Sequence, residues 1–392
     1  MKIHFKTFGC KVNQCETAQM RADVLRSGYL ISEVIDADLI IINSCTVTSN
    51  ADNKVKQYLR KCLRINTKAR IYVTGCYVDR EKSNLENEFS KVNFFLNSKK
   101  QNILKVLNLK FAPLTSKFLP VFNNHTRAFI KIQDGCDGKC SYCVVPKVRS
   151  RLFSKEIEDI IKEVKSYVSS GYKEIVLCGI RLGKYQAGNK NTLVNLMRAL
   201  ESIHGLYRIR LSSIELLDIT DELIELIEKS KKICHHLHIP VQSGDNRILK
   251  SMRRPYTTEI FFNKIKNIRK KITDIGITTD IIVGYPLDNE ISLKNTYNFA
   301  KKCRFSRIHI FRYSKRPDTE ASMLKNECNN ILTDKWSKKI TQLDLWLRQN
   351  FKNKFLGKKM EILAETNGFG YTSNYIYVKI PKSILPNEIA YL

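Results

Sequence analysis

The sequence predicts an α/β protein built from an N-terminal doubly wound parallel sheet and a partial (β/α) barrel of six units, followed by a short β-rich tail. Three observations carry this. Strand and helix signals alternate through the first hundred or so residues. A second alternating series, with six strand candidates, runs from about residue 127 to about residue 315. Beyond a long basic helix the pattern then changes to alternating Tyr and Ile of β-hairpin type. The expected boundaries are 1–112 for the first domain, 113–126 for a linker, 127–330 for the barrel, and 331–392 for the helix with its tail module.

In the first domain, "KIHFKTFGC" reads as a strand and "ETAQMRADVLRSGY" as an amphipathic helix ending near Gly28. "ADLIIINSC" is a buried strand, "ADNKVKQYLRKCLR" a basic helix and "ARIYVTGC" a third strand. "VNFFLNS" and "KKQNILKVLNL" complete a fourth unit. The linker "KFAPLTSKFLPVFNNH" carries two prolines and no period. The second series opens at "RAFIKIQDG" and continues with "KEIVLCG", "RIRLSSIE", "HHLHIPVQSG", "GITTDIIVGYP" and "SRIHIFRYS". Helical stretches such as "KEIEDIIKEVKSYVSSG", "LVNLMRALESI" and "DELIELIEKS" separate these strands. A doubly wound sheet would satisfy the same alternation. The last part reads as a helix, "DKWSKKITQLDLWLRQNFKNKFLG", then a hairpin turning at "NGFG".

No apolar run reaches the length of a membrane span, and the N-terminus lacks an apolar signal core, so a cytoplasmic protein without membrane contact is expected. Lys and Arg number 67 against 38 Asp and Glu, a formal charge of +29. Such a field attracts polyanions, nucleic acid first. Since 45 of the 67 are Lys, part of the excess is attributable to compositional drift. The arginine-bearing clusters "KVKQYLRKCLR", "KVRSR" and "SMRRP" are the better evidence for RNA.

Twelve cysteines in such a chain point to metal, redox chemistry or buried thiols rather than a disulfide framework. Cys136, Cys140 and Cys143 stand on one tight loop, "GCDGKCSYCVVP", after the first strand of the second series. A zinc ribbon would add a second CxxC pair, and none follows at ribbon spacing. Three thiolates suit a [4Fe–4S] cluster with one iron left open to a ligand. Cys10, Cys45 and Cys76 each follow a strand directly. In a parallel sheet those ends share one edge, so the three are expected to converge on a second cluster. Cys15, Cys62, Cys178, Cys234, Cys303 and Cys328 read as buried or bystander thiols. His236 and His238, on one strand face, read as a packed or hydrogen-bonded pair.

CxxxCxxC with Tyr142 before its last cysteine resembles the signature of the radical S-adenosylmethionine enzymes. Combined with a three-cysteine N-terminal domain, it resembles the methylthiotransferases over nearly the whole chain. The phrases "GCKVNQCE", "RAFIKIQDGC", "RIRLSSIE", "HLHIPVQSG", "TDIIVGYP", "FSRIHIFRYSKRP" and "GYTSNYIYVK" are most similar to the branch modifying N6-threonylcarbamoyladenosine at position 37 of tRNA. That family ends in a β-barrel RNA-binding (TRAM) module, whose beginning the final hairpin resembles and which looks short by some strands here. Three local differences stand out. Only "KV" separates "CSYCVVP" from Arg149-Ser150-Arg151, where the family usually carries a longer loop. "VGYPLDNE" lacks the usual Gly-Glu, and Arg312 occupies a usual Pro position.

The resemblance implies two [4Fe–4S] clusters and S-adenosylmethionine as cofactors. Cys136, Cys140 and Cys143 would hold the radical cluster, and Cys10, Cys45 and Cys76 the auxiliary one. It further implies that one S-adenosylmethionine methylates a sulfur at the auxiliary cluster while another yields the 5′-deoxyadenosyl radical that activates C2 of the base. Tyr142, Gly179, Ser213, Glu215 and Gln242 would surround the cofactor. Ser213 and Glu215 alternate on one strand face, where they either point into the barrel or satisfy buried backbone groups. The implied partners are tRNA, presented by its anticodon loop, an electron-donor protein and a sulfur donor. Three readings stand beside this one: the same chemistry on N6-isopentenyladenosine, the same chemistry on a ribosomal-protein aspartate, and a non-catalytic iron–sulfur RNA-binding protein.

Overall fold

The computed structural model describes residues 1–110, 126–188 and 191–392. Most of the expected linker lies outside the described residues. The chain divides into two compact units. The first takes the N-terminal residues to 110 together with 135–137 and 144–152; the second takes 126–134, 138–143 and everything from 153 onward.

In the first unit the elements are β1 (Lys2–Thr7), α1 (Lys11–Arg26), β2 (Leu30–Ile31), β3 (Leu39–Ser44), α2 (Ser49–Ile65), β4 (Arg70–Gly75), α3 (Cys76–Glu88), β5 (Val92–Phe94) and α4 (Ile103–Val106). The sheet is wholly parallel, in the order β2-β1-β3-β4-β5. β3, "LIIINS", is buried along its whole length because helices cover both faces. Alternate side chains serve opposite cores. Ile40 and Ile42 pack with Val55, Leu59 and Val73, while Leu39 and Ile41 pack with Ile3, Met20 and Val24. α2 starts where Thr48 accepts the Ala51 N–H through its hydroxyl.

The second unit contains β6 (Arg127–Lys131), β7 (Gln133–Asp134), β8 (Phe153–Ser154), α6 (Ile157–Ser169), β9 (Glu174–Cys178), β10 (Gln186–Ala187), β11 (Asn191–Thr192), α7 (Leu193–Glu201), β12 (Arg208–Leu211) and α8 (Asp221–Lys229). α5 (Val145–Val148) belongs to the first unit. Next come β13 (His236–His238), α9 (Asn246–Ser251), α10 (Thr258–Lys271), β14 (Gly276–Val283), α11 (Glu290–Cys303), β15 (Arg307–Arg312) and α12 (Asn330–Asn353). Parallel pairing joins β6-β9-β12 and β13-β14-β15, and the parallel bridges Ile209 to Ile233 and Ser213 to His238 connect the two sets. The six strands thus follow one another in chain order, as the partial barrel requires.

The tail forms β16 (Glu361–Ala364), β17 (Phe369–Thr372), β18 (Tyr377–Lys379) and β19 (Ile389–Tyr391), antiparallel in the order β18-β17-β16-β19. The expected single hairpin is therefore a four-stranded sheet. A buried ionic lattice fastens it to the barrel strands. Arg210 on β12 donates to Glu174 on β9 at 2.7 Å and to the Ser373 carbonyl at 2.9 Å. Arg208 reaches Glu361 and the Tyr371 carbonyl, both at 2.8 Å, and Arg127 lies over the Tyr371 ring at 4.7 Å. Glu174 is fully buried, yet these guanidiniums hold its carboxyl below the usual range against the effect of burial.

Candidate iron–sulfur sites

In the first unit β1, β3 and β4 are neighbours, and their C-terminal ends deliver Cys10, Cys45 and Cys76 along one edge. Gly9 and Gly75, each just before a cysteine, have φ values of +99° and +107°. At Gly75 a Cβ would sit 2.2 Å from the Ser44 carbonyl oxygen, and at Gly9 it would sit 2.5 Å from Cys45 Cβ. Only glycine permits these turns, which bring the cysteine-bearing segments into contact. Burial pushes the Cys45 thiol up to about 11, with the charges of Cys76 and Cys10 adding to the effect. The same Gly9 Cβ would lie 2.8 Å from Cys45 Sγ, so the Cys10 and Cys45 segments touch.

A buried polar cluster stands beside them. Arg149, 5% exposed, donates from Nε to Cys76 Sγ at 3.3 Å, from Nη1 to Glu16 at 2.9 Å, and from Nη2 to Asn13 Oδ1 at 2.8 Å. Asn13 is fixed by its own amide bonds to the carbonyls of Phe8 and Ser44, at 2.8 and 2.9 Å. Lys100, 4% exposed, reaches Glu16 at 2.7 Å. The Cys136 N–H donates to the Arg149 carbonyl at 3.0 Å. One residue therefore touches a ligand candidate of each cluster, by its backbone on one side and its side chain on the other.

In the second unit the middle of the CxxxCxxC loop is tied to α9. Ser141 N–H donates to the Met252 carbonyl at 3.2 Å, and its hydroxyl donates to the Ser251 carbonyl at 2.7 Å. Tyr142 packs against Ile248, Met252 and Tyr285. Arg254, 7% exposed, donates to Cys140 Sγ at 3.4 Å and pairs with Glu215, Tyr256 and the Pro240 carbonyl. Each of the two cysteine sets accordingly has one buried guanidinium on a sulfur.

Gly179 follows β9 beside Gln133 Oε1. Ser213 and Glu215 lie beyond the end of β12 rather than within it, because the strand stops at Leu211. Ser213 is exposed and bridges His238. Glu215 satisfies Arg254 and not backbone groups, so the expectation of one shared strand face is corrected. Gln242 holds φ +71°, a left-handed conformation costing a non-glycine residue on the order of 1 kcal/mol. Parallel bonds to the Asp280 carbonyl and from Ile282 N–H, both at 2.9 Å, keep it there. The histidine pair is hydrogen-bonded as expected, both rings meeting Thr278 Oγ1 at 3.1 and 2.8 Å. The six other cysteines are all buried.

Sequence reasoning missed Arg149, Arg254, Glu16, Asn13 and Lys100. Two of them had been assigned to RNA, since "KVRSR" and "SMRRP" look like phosphate-binding clusters. Burial corrects this: Arg149 and Arg254 face sulfur and carboxylate. A signal was present at Asn13 and Glu16, which stand three and six residues after Cys10, near the start of a helix.

Residues 2–97 match the model of the Uncharacterized protein family UPF0004, and residues 130–300 that of the Radical SAM superfamily. A protein of Bacillus subtilis named threonylcarbamoyladenosine tRNA methylthiotransferase MtaB is 35% identical over 96% of this chain and 89% of its own. The chain belongs to the radical S-adenosylmethionine methylthiotransferase family. Another methylthiotransferase of that name, from Thermotoga maritima, is 34% identical over 93% of this chain and 86% of its own. A tRNA-2-methylthio-N(6)-dimethylallyladenosine synthase from Thermodesulfovibrio yellowstonii is 31% identical over 99% of this chain and 94% of its own. The fold is shared with the radical S-adenosylmethionine methyltransferase TsrM of Kitasatospora setae, at a TM-score of 0.61 and 11% identity, over 82% of this chain and 75% of that one. Membership brings with it S-adenosylmethionine and [4Fe–4S] clusters as cofactors.

The thiols of this methylthiotransferase suit such clusters. Among the described residues no three His, Cys, Asp or Glu side chains converge on a single ion. A four-iron cluster does not ask for that, since each thiolate takes its own iron. Guanidinium donors on Cys76 and Cys140 set a positive charge against sulfurs that would carry negative charge in a cluster. Among the described residues, no helix is long and apolar enough to cross a membrane.

Proposed function

We propose that this methylthiotransferase places a methylthio group on C2 of N6-threonylcarbamoyladenosine at position 37 of tRNA, the reaction classified as EC 2.8.4.5. The observation that supports it most is the pair of three-cysteine sets, each beside a buried guanidinium, in a chain 35% identical to a relative named for that substrate. Cys136, Cys140 and Cys143 hold the radical cluster. Cys10, Cys45 and Cys76 hold the auxiliary one. When bound, these groups and S-adenosylmethionine supply the one-electron chemistry that an unactivated aromatic C–H bond demands.

The chain's own residues position and shield. Tyr142, braced by Met252 and Tyr285, would present an apolar wall to the adenine of a bound S-adenosylmethionine. Gly179 lets Gln133 and the Leu182 backbone close in beside the end of β9, and Gln242 offers a polar side chain from a strained backbone. Ser213 is open to the mouth. Glu215 acts on the cofactor through Arg254, which it orients beside Cys140. Arg149 holds the Cys76 sulfur with its charge partly balanced by Glu16. The substrate base comes from a single-stranded anticodon loop, which is cheap to splay. An electron-donor protein and a sulfur source complete the system.

The test is mass spectrometry of tRNA nucleosides from cells with and without the gene. Gene-dependent 2-methylthio-N6-threonylcarbamoyladenosine is the expected outcome. A change in the isopentenyl (dimethylallyl) nucleoside instead would keep the reaction and overturn the substrate. No change in any methylthio nucleoside would remove tRNA as the substrate.

A further inference from the structure

A group of cations gathers among α10, α11 and α12. A cavity of about 830 Å³ opens there, ringed by Lys266, Arg269, Lys301, Lys302, Arg304 and Lys354. No acidic side chain lines it, and among the described residues no ion pair reaches any of these six cations. Their neighbours on the same helices behave differently. Lys264 and Lys271 on α10 pair with Asp221 and Glu225, and on α12 Lys335 pairs with Glu290. Compositional drift toward lysine explains a high total, but not the exclusion of carboxylates from one cavity.

Crowding adds to burial at Lys354. Burial, then the charges of Arg269 and Arg304, hold the Lys354 ammonium below its ordinary range. Arg269 donates to the Arg304 carbonyl at 2.8 Å, fixing the turn in which Arg304 adopts φ +49°. The cationic rim is thus partly built and not merely mobile lysine. Its floor is apolar, with Ile265, Leu347 and Phe351, and Trp346 stands half-exposed at the edge. Lys301 lies 5.5 Å from the Trp346 ring centre, and Lys302 lies 4.4 Å from that of Phe262. Cations beside a half-exposed indole suit a chain that offers phosphates and flat bases together.

We infer that this cavity is an RNA-backbone site, at which the tRNA substrate is gripped through its phosphates at a second place outside the modification centre. The inference rests on the tRNA reading above. Phosphate oxygens take the place of the missing carboxylates, and a base or ribose covers Trp346. Affinity at such a site falls with salt, because each neutralised phosphate releases counterions.

The experiment compares the full-length, cluster-loaded protein with the triple variant Lys266→Gln, Lys301→Gln, Lys354→Gln, all three being exposed side chains. Affinity for purified tRNA is measured across a salt series, with thermal melting and iron content as controls for folding. Loss of two or three phosphate contacts should lower the magnitude of the log-log salt slope by about 2 and weaken binding roughly tenfold. In a Trp336→Phe background, tRNA should quench the emission of Trp346, and the triple variant should lose the quench. An unchanged slope and affinity in a folded triple variant overturns the inference. So does quenching by pyrophosphate alone with none by tRNA, which would mark a small-anion site. If the parent protein binds tRNA and forms product while the variant is indistinguishable, this site fails and the function stands. A parent that binds no tRNA removes both.

Discussion

Arg149→Met is the most informative single change, because Arg149 touches both cysteine sets at once. Its Nε lies 3.3 Å from Cys76 Sγ, where a unit charge in an effective dielectric of about 20 would be worth about 5 kcal/mol. Glu16, at 2.9 Å from the same guanidinium, cancels much of that. About 1–2 kcal/mol should remain, and since about 59 mV is a tenfold change for one electron, the shift is about 40–90 mV. The sign follows from charge. Without the cation, adding an electron to the auxiliary cluster is harder, so its midpoint potential moves negative. Redox titration followed by electron paramagnetic resonance reads this directly, with Cys136, Cys140 and Cys143 replaced by Ala to leave one cluster. Arg149→Lys should recover part of the shift, since a lysine keeps the charge but cannot engage Cys76, Glu16 and Asn13 together. Identical potentials in all three proteins, each with full iron, would refute the assignment of Arg149 to the cluster sulfur.

Cys140→Ala should abolish reductive cleavage of S-adenosylmethionine while tRNA binding stays within about twofold; iron should drop from about eight to about four per chain. Retained cleavage would remove the CxxxCxxC loop from the radical site. Glu174→Gln leaves Arg127, Arg208 and Arg210 facing one another in the interior, which should cost about 3–5 kcal/mol in chemical denaturation. A loss below about 1 kcal/mol would show that Glu174 is not needed to balance these three arginines. Asp288 is buried under α11, and burial raises its carboxyl from 3.8 to about 6 despite bonds from Ser292, Gly284 and Tyr285. A raised carboxyl stabilises the fold fully at low pH and loses that contribution as pH rises through about 6. Asp288→Asn should therefore gain on the parent by about 1 kcal/mol between about pH 5 and pH 7, read by urea unfolding; a pH-independent difference would contradict the shift.

Much of this protein was determined by local sequence. Alternating apolar patterns set the order of strands and helices in both units, since a parallel βαβ series leaves few topologies open. Cys10, Cys45 and Cys76 could be brought together from sequence because strands of one parallel sheet end on one edge. The CxxxCxxC loop was legible because its three cysteines lie within one short stretch of chain.

What sequence could not decide was the direction and burial of charge. Arg149 and Arg254 sit in short basic phrases that look like any phosphate-binding patch. Only packing shows one against Cys76 and Glu16, and the other against Cys140 and Glu215. The side-chain partners of Arg149 are more than 70 residues away along the chain, and no local period encodes such a meeting. The tail shows the same limit: its hairpin pattern was visible, but β19 joins β16 across a turn-rich stretch without alternation. Conversely, the cavity among α10, α11 and α12 gathers cations that are unremarkable one by one in a chain with 45 lysines. Local chemistry fixes which elements form and which thiols end a strand. Electrostatic partnership is a long-range property, settled only when the low-dielectric interior forces each buried charge to meet another.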